Sequence, residues 1–146
     1  MYDSVLVPTD GSAVADQAVE HAMHIAKQND AELHVVHVVD PDAIPVSANA
    51  GRVEDELTDA GERILEDVRD RAVGKGLYVE TELLLGTPHV EILDYVDDHE
   101  IDLVVMGTHG RGGVSRLLLG STTERVVRSA RVPVLTVHLD EEPGEQ

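Results

Sequence analysis

The stretch from Ile101 to Val137 reads IDLVVMGTHGRGGVSRLLLGSTTERVVRSARVPVLTV. It opens on an apolar run, Asp102 to Met106, of the kind a fully buried strand shows. Four glycines follow within seven residues: Gly107, Gly110, Gly112 and Gly113. Nine residues separate Gly110 from Gly120, which is followed by Ser121, Thr122 and a segment with helical patterning. Ser121 and Glu124 stand in capping-box spacing, which predicts Ser121 as the N-cap of that helix. A strand, a glycine loop and a helix start make a cradle for an anion. Glycine lets backbone N–H groups approach a phosphate with no Cβ in the way, and a helix N-terminus adds unsatisfied donors and a positive dipole end.

A glycine-rich connector is the plainer reading, and charge decides against it. Residues 107 to 131 hold five arginines (Arg111, Arg116, Arg125, Arg128, Arg131) against one acid, Glu124. That is a local +4 in a chain of formal net charge −18, so the remainder carries −22. Arg128 and Arg131 fall near the expected helix C-terminus, where cations are favoured on structural grounds alone. Arg111 and Arg116 have no such explanation. Anion binding is therefore the expected role.

The spacing Gly107-x-x-Gly110, nine residues, Gly120-Ser121 resembles the G-2x-G-9x-G-[S/T] signature of the universal stress protein family, in its ATP-binding branch. Val5-Leu6-Val7-Pro8-Thr9-Asp10-Gly11-Ser12 is similar to that family's opening strand and turn, and His37-Val38-Val39-Asp40 to its second strand end. Gly86-Thr87-Pro88 and Val132-Pro133-Val134-Leu135 complete a pattern that covers residues 1 to 139. The resemblance implies a single Rossmann-like domain of the adenine nucleotide alpha hydrolase-like type, a five-stranded parallel sheet of order 3-2-1-4-5. It implies ATP as ligand, with Mg²⁺ or Mn²⁺ held mainly by the phosphates. By the same resemblance Asp10 would accept hydrogen bonds from the adenosine moiety, with Pro8 and Thr9 shaping the wall. Val38 would offer backbone groups to the adenine edge. Gly107, Gly110 and Gly120 would allow backbone approach, Ser121 and Thr122 would meet phosphate oxygens, and Met106, His109 and Arg111 would line the loop. A homodimer through strand 132–138 is also implied, since family members pair this edge across a two-fold axis.

Length and composition bound the alternatives. A chain of 146 residues fits one domain, taken here as 1–139 followed by an acidic tail over 140–146. No apolar run reaches membrane-spanning length and Met1-Tyr2-Asp3 does not open a signal peptide, so a soluble, cytoplasmic protein is expected. The absence of cysteine removes disulfides, thiol catalysis and cysteine metal sites. Fifteen Asp and fourteen Glu oppose nine Arg and two Lys, Lys27 and Lys75. With 42% hydrophobic residues in periodic blocks this is a folded, strongly anionic surface, as in halophiles that accumulate salt. Such a surface repels nucleic acid and anionic lipid, and three tyrosines with no Phe or Trp give single strands no stacking platform.

The coarse pattern is βαβ throughout. Strands are expected at Ser4–Pro8, Leu33–Val39, Leu77–Leu85, Asp102–Met106 and Val132–Val137. Ser12 is expected to cap a helix whose stripe is Ala15, Ala18, Val19, Ala22, Ile25 and Ala26. A loop from Pro41 to Ala50 leads to a long helix marked by Val53, Leu57, Ala60, Ile64, Leu65, Val68 and Ala72, ended at Gly74-Lys75-Gly76. Thr87-Pro88 caps a further helix whose buried side is Val90, Ile92, Leu93 and Val96. Alternating strands and helices imply a parallel sheet covered on both faces, with ligands beyond the strand C-termini.

The histidines carry little weight by spacing. His21 and His24 lie one turn apart, while His34 and His37 lie on opposite faces of a strand. Neither pair has a carboxylate at metal-ligand spacing and HExxH is absent, so surface or half-buried histidines and no protein-held metal are expected. An enzyme, such as a slow ATPase or a phosphoryl- or nucleotidyl-transferase, is the competing function. Against it, GxxxxGK[ST] is missing and no lysine lies near the cradle. A receiver-like domain is excluded because Gly86 and His138 stand where that fold needs an aspartate and a lysine.

Overall fold

The computed structural model describes residues 1–45, 49–109 and 119–139. Strands β1 (Ser4–Pro8), β2 (Glu32–Val39), β3 (Val79–Leu85), β4 (Leu103–Gly107) and β5 (Val134–Val137) alternate with helices α1 (Ala13–Asn29), α2 (Ala50–Gly74), α3 (Pro88–Asp98) and α4 (Ser121–Ser129). A single 3-10 turn, Pro41–Ala43, follows β2. The strands form one parallel sheet of order β3-β2-β1-β4-β5, the order implied by the family resemblance.

Alternation along the central strands sorts the core into two layers. Val5, Val7, Leu33, Val35, Leu103 and Val105 face α1 and α2, meeting Ala18, Ala22, Leu65, Val68 and Ala72. Leu6, Val36, Val104 and Met106 point the other way, toward Ile92, Tyr95 and Val96 of α3 and Val126 of α4. Successive side chains of a strand leave on opposite faces, so a continuous apolar run is what a strand covered on both sides requires. Val5, Leu6 and Val7 at the centre are fully excluded from solvent. Truncating Leu6 to alanine there belongs to the class of core deletions that cost about 2–5 kcal/mol.

Helix α1 starts where expected: the Ser12 side chain accepts the Ala15 N–H. Its alanine face packs the helix close to the sheet, and Gly107 extends that closeness to the end of β4. A Cβ at Gly107 would stand 3.1 Å from Cγ2 of Val14 and 3.3 Å from its carbonyl carbon. The first turn of α1 is thereby drawn against the C-terminus of β4.

Several expectations are corrected at the ends of elements. Ser121 does not cap α4; Gly120 holds the N-cap position, without any side-chain cap, and Ser121 is the first helical residue. Glu124 does not reach back as in a capping box; it pairs with Arg128 one turn on, 2.6 Å away. Thr87 is the N-cap of α3 with Pro88 behind it, yet its hydroxyl makes no cap bond. In α3 the buried side is Ile92, Tyr95 and Val96, while Val90 is exposed. β5 starts at Val134 rather than Val132, since Pro133 has no N–H to give a ladder, although its carbonyl accepts from Val104. Leu57 of α2 is exposed and Gly61 is buried in its place among the helix's inward residues.

Candidate functional site

β1 lies between β2 and β4, so the chain leaves it toward one side first and crosses to the other later. Helix α1 after β1 and helix α4 after β4 lie on opposite faces of the sheet, and such a switch in strand order leaves a crevice above the strand C-termini. A cavity of about 580 Å³ occupies it. The β1 end supplies Pro8, Thr9 and Asp10, the β2 end Val38 and Asp40, and the β4 end Met106, Gly107 and His109. Gly120, Ser121, Thr122 and Thr123 close the far side. Ten of the twelve residues proposed from sequence thus share one cavity. The other two, Gly110 and Arg111, lie outside the described residues.

Each wall has a local reason. The Thr9 N–H donates to the Val36 carbonyl at 2.9 Å, tying the residue after β1 to the neighbouring strand. The Thr9 hydroxyl accepts from Gly11 N–H at 3.1 Å, and Oδ1 of Asp10 accepts from Ser12 N–H at 2.9 Å. These short side-chain-to-backbone bonds hold a turn in which Gly11 takes a positive φ of 78°. Nδ1 of His37 lies 2.8 Å from the Thr9 carbonyl and braces the same turn from below.

The opposite wall is built by threonines and glycines. Thr108 N–H donates to the Val137 carbonyl, and its own carbonyl accepts the Gly120 N–H at 2.7 Å. The Thr123 hydroxyl, buried, donates to the Gly107 carbonyl at 2.8 Å. Together they pin the start of α4 against the end of β4. Gly120 has φ −64° and ψ 159°, ordinary extended values, so no positive φ demands glycine there. Close packing does: a Cβ would stand 3.1 Å from Cα of His109. With glycine as N-cap, the first-turn N–H groups of α4 at Ser121, Thr122 and Thr123 have no intrahelical acceptor, and all three residues line the cavity. The hydroxyls of Ser121 and Thr122 stand beside them.

The cavity also takes in residues that were not selected from sequence: Ala15, Asp40, Ala43, Pro88, Ile92 and Thr123. Asp40 and Pro88 sit within the quoted segments His37–Asp40 and Gly86–Pro88, so a signal was present. Ala15 and Ile92 gave only the signature of core residues. Among the other histidines, His21 and His24 are exposed, but His34 is buried, against expectation. Its Nδ1 lies 2.7 Å from the Tyr95 hydroxyl, and the carboxylates of Glu32 and Glu80 stand 3.0 and 3.6 Å from its ring nitrogens. Spacing along the chain marks no carboxylate ligand for His34, but strand pairing places Glu80 directly opposite it. Among the described residues no helix is long and apolar enough to cross a membrane.

Comparison with known proteins matches this architecture. The family model of the universal stress protein family covers residues 1–138. Universal stress protein MJ0531 of Methanocaldococcus jannaschii is 39% identical over 140 residues, which is 94% of this chain and 82% of that protein. The solved structure of MJ0577 from the same organism superposes with a TM-score of 0.85 at 29% identity, covering 97% of this chain and 99% of the other. A universal stress protein solved in complex with cAMP gives a TM-score of 0.73 at 31% identity, covering 95% and 99%. At least 94% of this chain is covered in each case, and the chain belongs to the universal stress protein family.

Proposed function

We propose that the protein is a nucleotide-binding regulatory module that holds ATP in the crevice between the β1 and β4 loops. The observation that carries the reading is the α4 N-terminus. It is capped by glycine rather than by a side chain, so its donors remain available to an anion. Across the cavity, Thr9, Asp10 and Val38 make a wall of mixed polar and apolar character suited to a nucleoside. The volume of about 580 Å³ suits a ligand of nucleotide size. That a relative 31% identical was solved with cAMP supports an adenine nucleotide as the class. Gly110 and Arg111 keep the phosphate-side roles that the family signature implies for them. A divalent cation fits the oxygen-rich lining of Thr9, Asp10, Ser121 and Thr122; Mg²⁺ or Mn²⁺ would be held mainly by the phosphates.

An enzymatic reading has weaker support. Phosphoryl transfer needs positioned cations and a base around the γ-phosphate, and no lysine is among the described residues that line this cavity. The proposed assembly is a homodimer through β5. That strand is the sheet edge, and Leu135 is exposed on it with Leu139 just beyond.

The deciding experiment is to denature the purified protein and identify released nucleotide by chromatography and mass spectrometry. An adenine nucleotide in near-stoichiometric amount is expected. Protein that carries none, and shows no heat of binding with millimolar ATP and Mg²⁺, would overturn the reading.

A further inference from the structure

At the other end of β2 from the crevice, three potential ligands converge on the sheet face covered by α3. Glu32 and His34 are two residues apart on β2 and so leave it on the same face. His34 pairs in register with Glu80 of the edge strand β3. One donor atom from each of the three lies within 4.8 Å of the others. The site is about 13 Å along the strand from Val38, taking four residues at about 3.3 Å each. It shares no residue with the nucleotide cavity.

The histidine is held as a ligand would be. Its ring is buried, and Nδ1 is bound to the Tyr95 hydroxyl at 2.7 Å. Tyr95 is fixed in turn by stacking on His99, centroids 3.7 Å apart. A histidine that binds metal through one nitrogen commonly has the other held by such a partner, which sets ring orientation and tautomer. Nε2 stands 3.0 Å from Oε1 of Glu32, while Oε2 of Glu80 stands 3.6 Å from Nδ1. The carboxylates of Glu32 and Glu80 are 44% and 60% exposed, giving them room to swing and an entry path from solvent.

We propose that Glu32, Nε2 of His34 and Glu80 form a site for a divalent transition metal of the Zn²⁺ class, completed by water. One imidazole and two carboxylates suit Zn²⁺, Co²⁺ or Mn²⁺ better than Mg²⁺ or Ca²⁺, which prefer oxygen alone. The paired negative charges neutralise the ion, and any proton on Nε2 leaves to solvent as the metal enters. Because β2 and β3 bring the donors together only in the folded sheet, the ion would stabilise this edge.

The test uses the full-length protein, stripped with chelator and titrated with ZnCl₂ while histidine ring nitrogens are followed by NMR. The first equivalent is expected to shift the His34 ring nitrogens, and tenfold excess MgCl₂ should not displace it. The Glu32→Gln/Glu80→Gln variant should bind that equivalent at least tenfold more weakly, with an unchanged melt in chelator. The inference fails if the first equivalent shifts other histidines and leaves His34 unmoved, or if the folded double variant binds within threefold of wild type. Should the double variant not fold, the wild-type His34 signal decides alone.

Discussion

Replacing Gly61 by alanine sets two effects of known sign against each other. Gly61 lies in the interior of α2, where the change is worth about 1 kcal/mol of helix propensity in alanine's favour. The added Cβ, however, would stand 2.5 Å from Cδ2 of His37, 3.0 Å from its Nε2 and 2.9 Å from Cδ1 of Leu83. The leucine methyl can turn aside. The imidazole cannot do so freely, because its Nδ1 is bound to the Thr9 carbonyl at 2.8 Å. Relief therefore means breaking that bond or lifting α2 off the sheet. Overpacking costs about 1–3 kcal/mol, and a hydrogen bond about 1 kcal/mol. Against the propensity gain the net is a loss of about 2 kcal/mol, or roughly 4–8 °C in Tm for a chain of this length. Urea and thermal melts of nucleotide-free protein measure it. A double-mutant cycle locates it: in a His37→Ala background the same Gly61→Ala change should be near neutral or stabilising. That is a coupling of about 2 kcal/mol or more. ATP binding should also weaken in Gly61→Ala, since the Thr9 turn loses its brace. A single variant as stable as wild type, or a cycle with no coupling, would refute the packing argument.

Other outcomes follow from the same geometry. Gly120→Val drives a branched side chain against the His109 backbone, where even a Cβ has only 3.1 Å. By calorimetry it should bind ATP at least tenfold more weakly, about 1.4 kcal/mol; unchanged affinity in a folded variant would leave the glycine without a binding role. Asp10→Asn retains an oxygen for the Ser12 N–H but loses the charge. It should weaken binding of adenosine nucleotides while inorganic phosphate competition survives, and loss of both would assign Asp10 to the turn alone. The net charge of −18 predicts Tm rising from 0.1 M to 2 M KCl, as the Debye length falls from about 10 Å to 3 Å at 1 M; a flat or falling curve would sink the halophile-like reading. Sedimentation at micromolar concentration should show a dimer, and a species near 15.8 kDa would defeat the β5 pairing.

The sequence by itself determined what depends on near neighbours in the chain. Strand and helix alternation, the Ser12 cap and the two-sided burial of β1 all follow from local periodicity and capping chemistry. Ten cavity residues were also legible, with the roles of Pro8, Thr9, Asp10 and Val38 implied by the family resemblance and not by spacing or periodicity. The order 3-2-1-4-5 came from resemblance, since spacing along a chain does not say which strand lies beside which. Only the tertiary structure decided the contacts made across that order. Gly120 rather than Ser121 caps α4 because Thr108 and His109 approach Gly120 from β4, 12 residues earlier than Gly120 in the case of Thr108. Asp40, Pro88 and Ile92 reach the cavity because β2 and α3 flank β1, not because of any neighbour in sequence. Alternation told that His34 and His37 face opposite ways, but not what covers each. That depends on where Tyr95, Glu80 and Gly61 are carried by elements dozens of residues away. Burial and partnership are properties of a surface meeting another surface, and one strand's pattern describes only its own side.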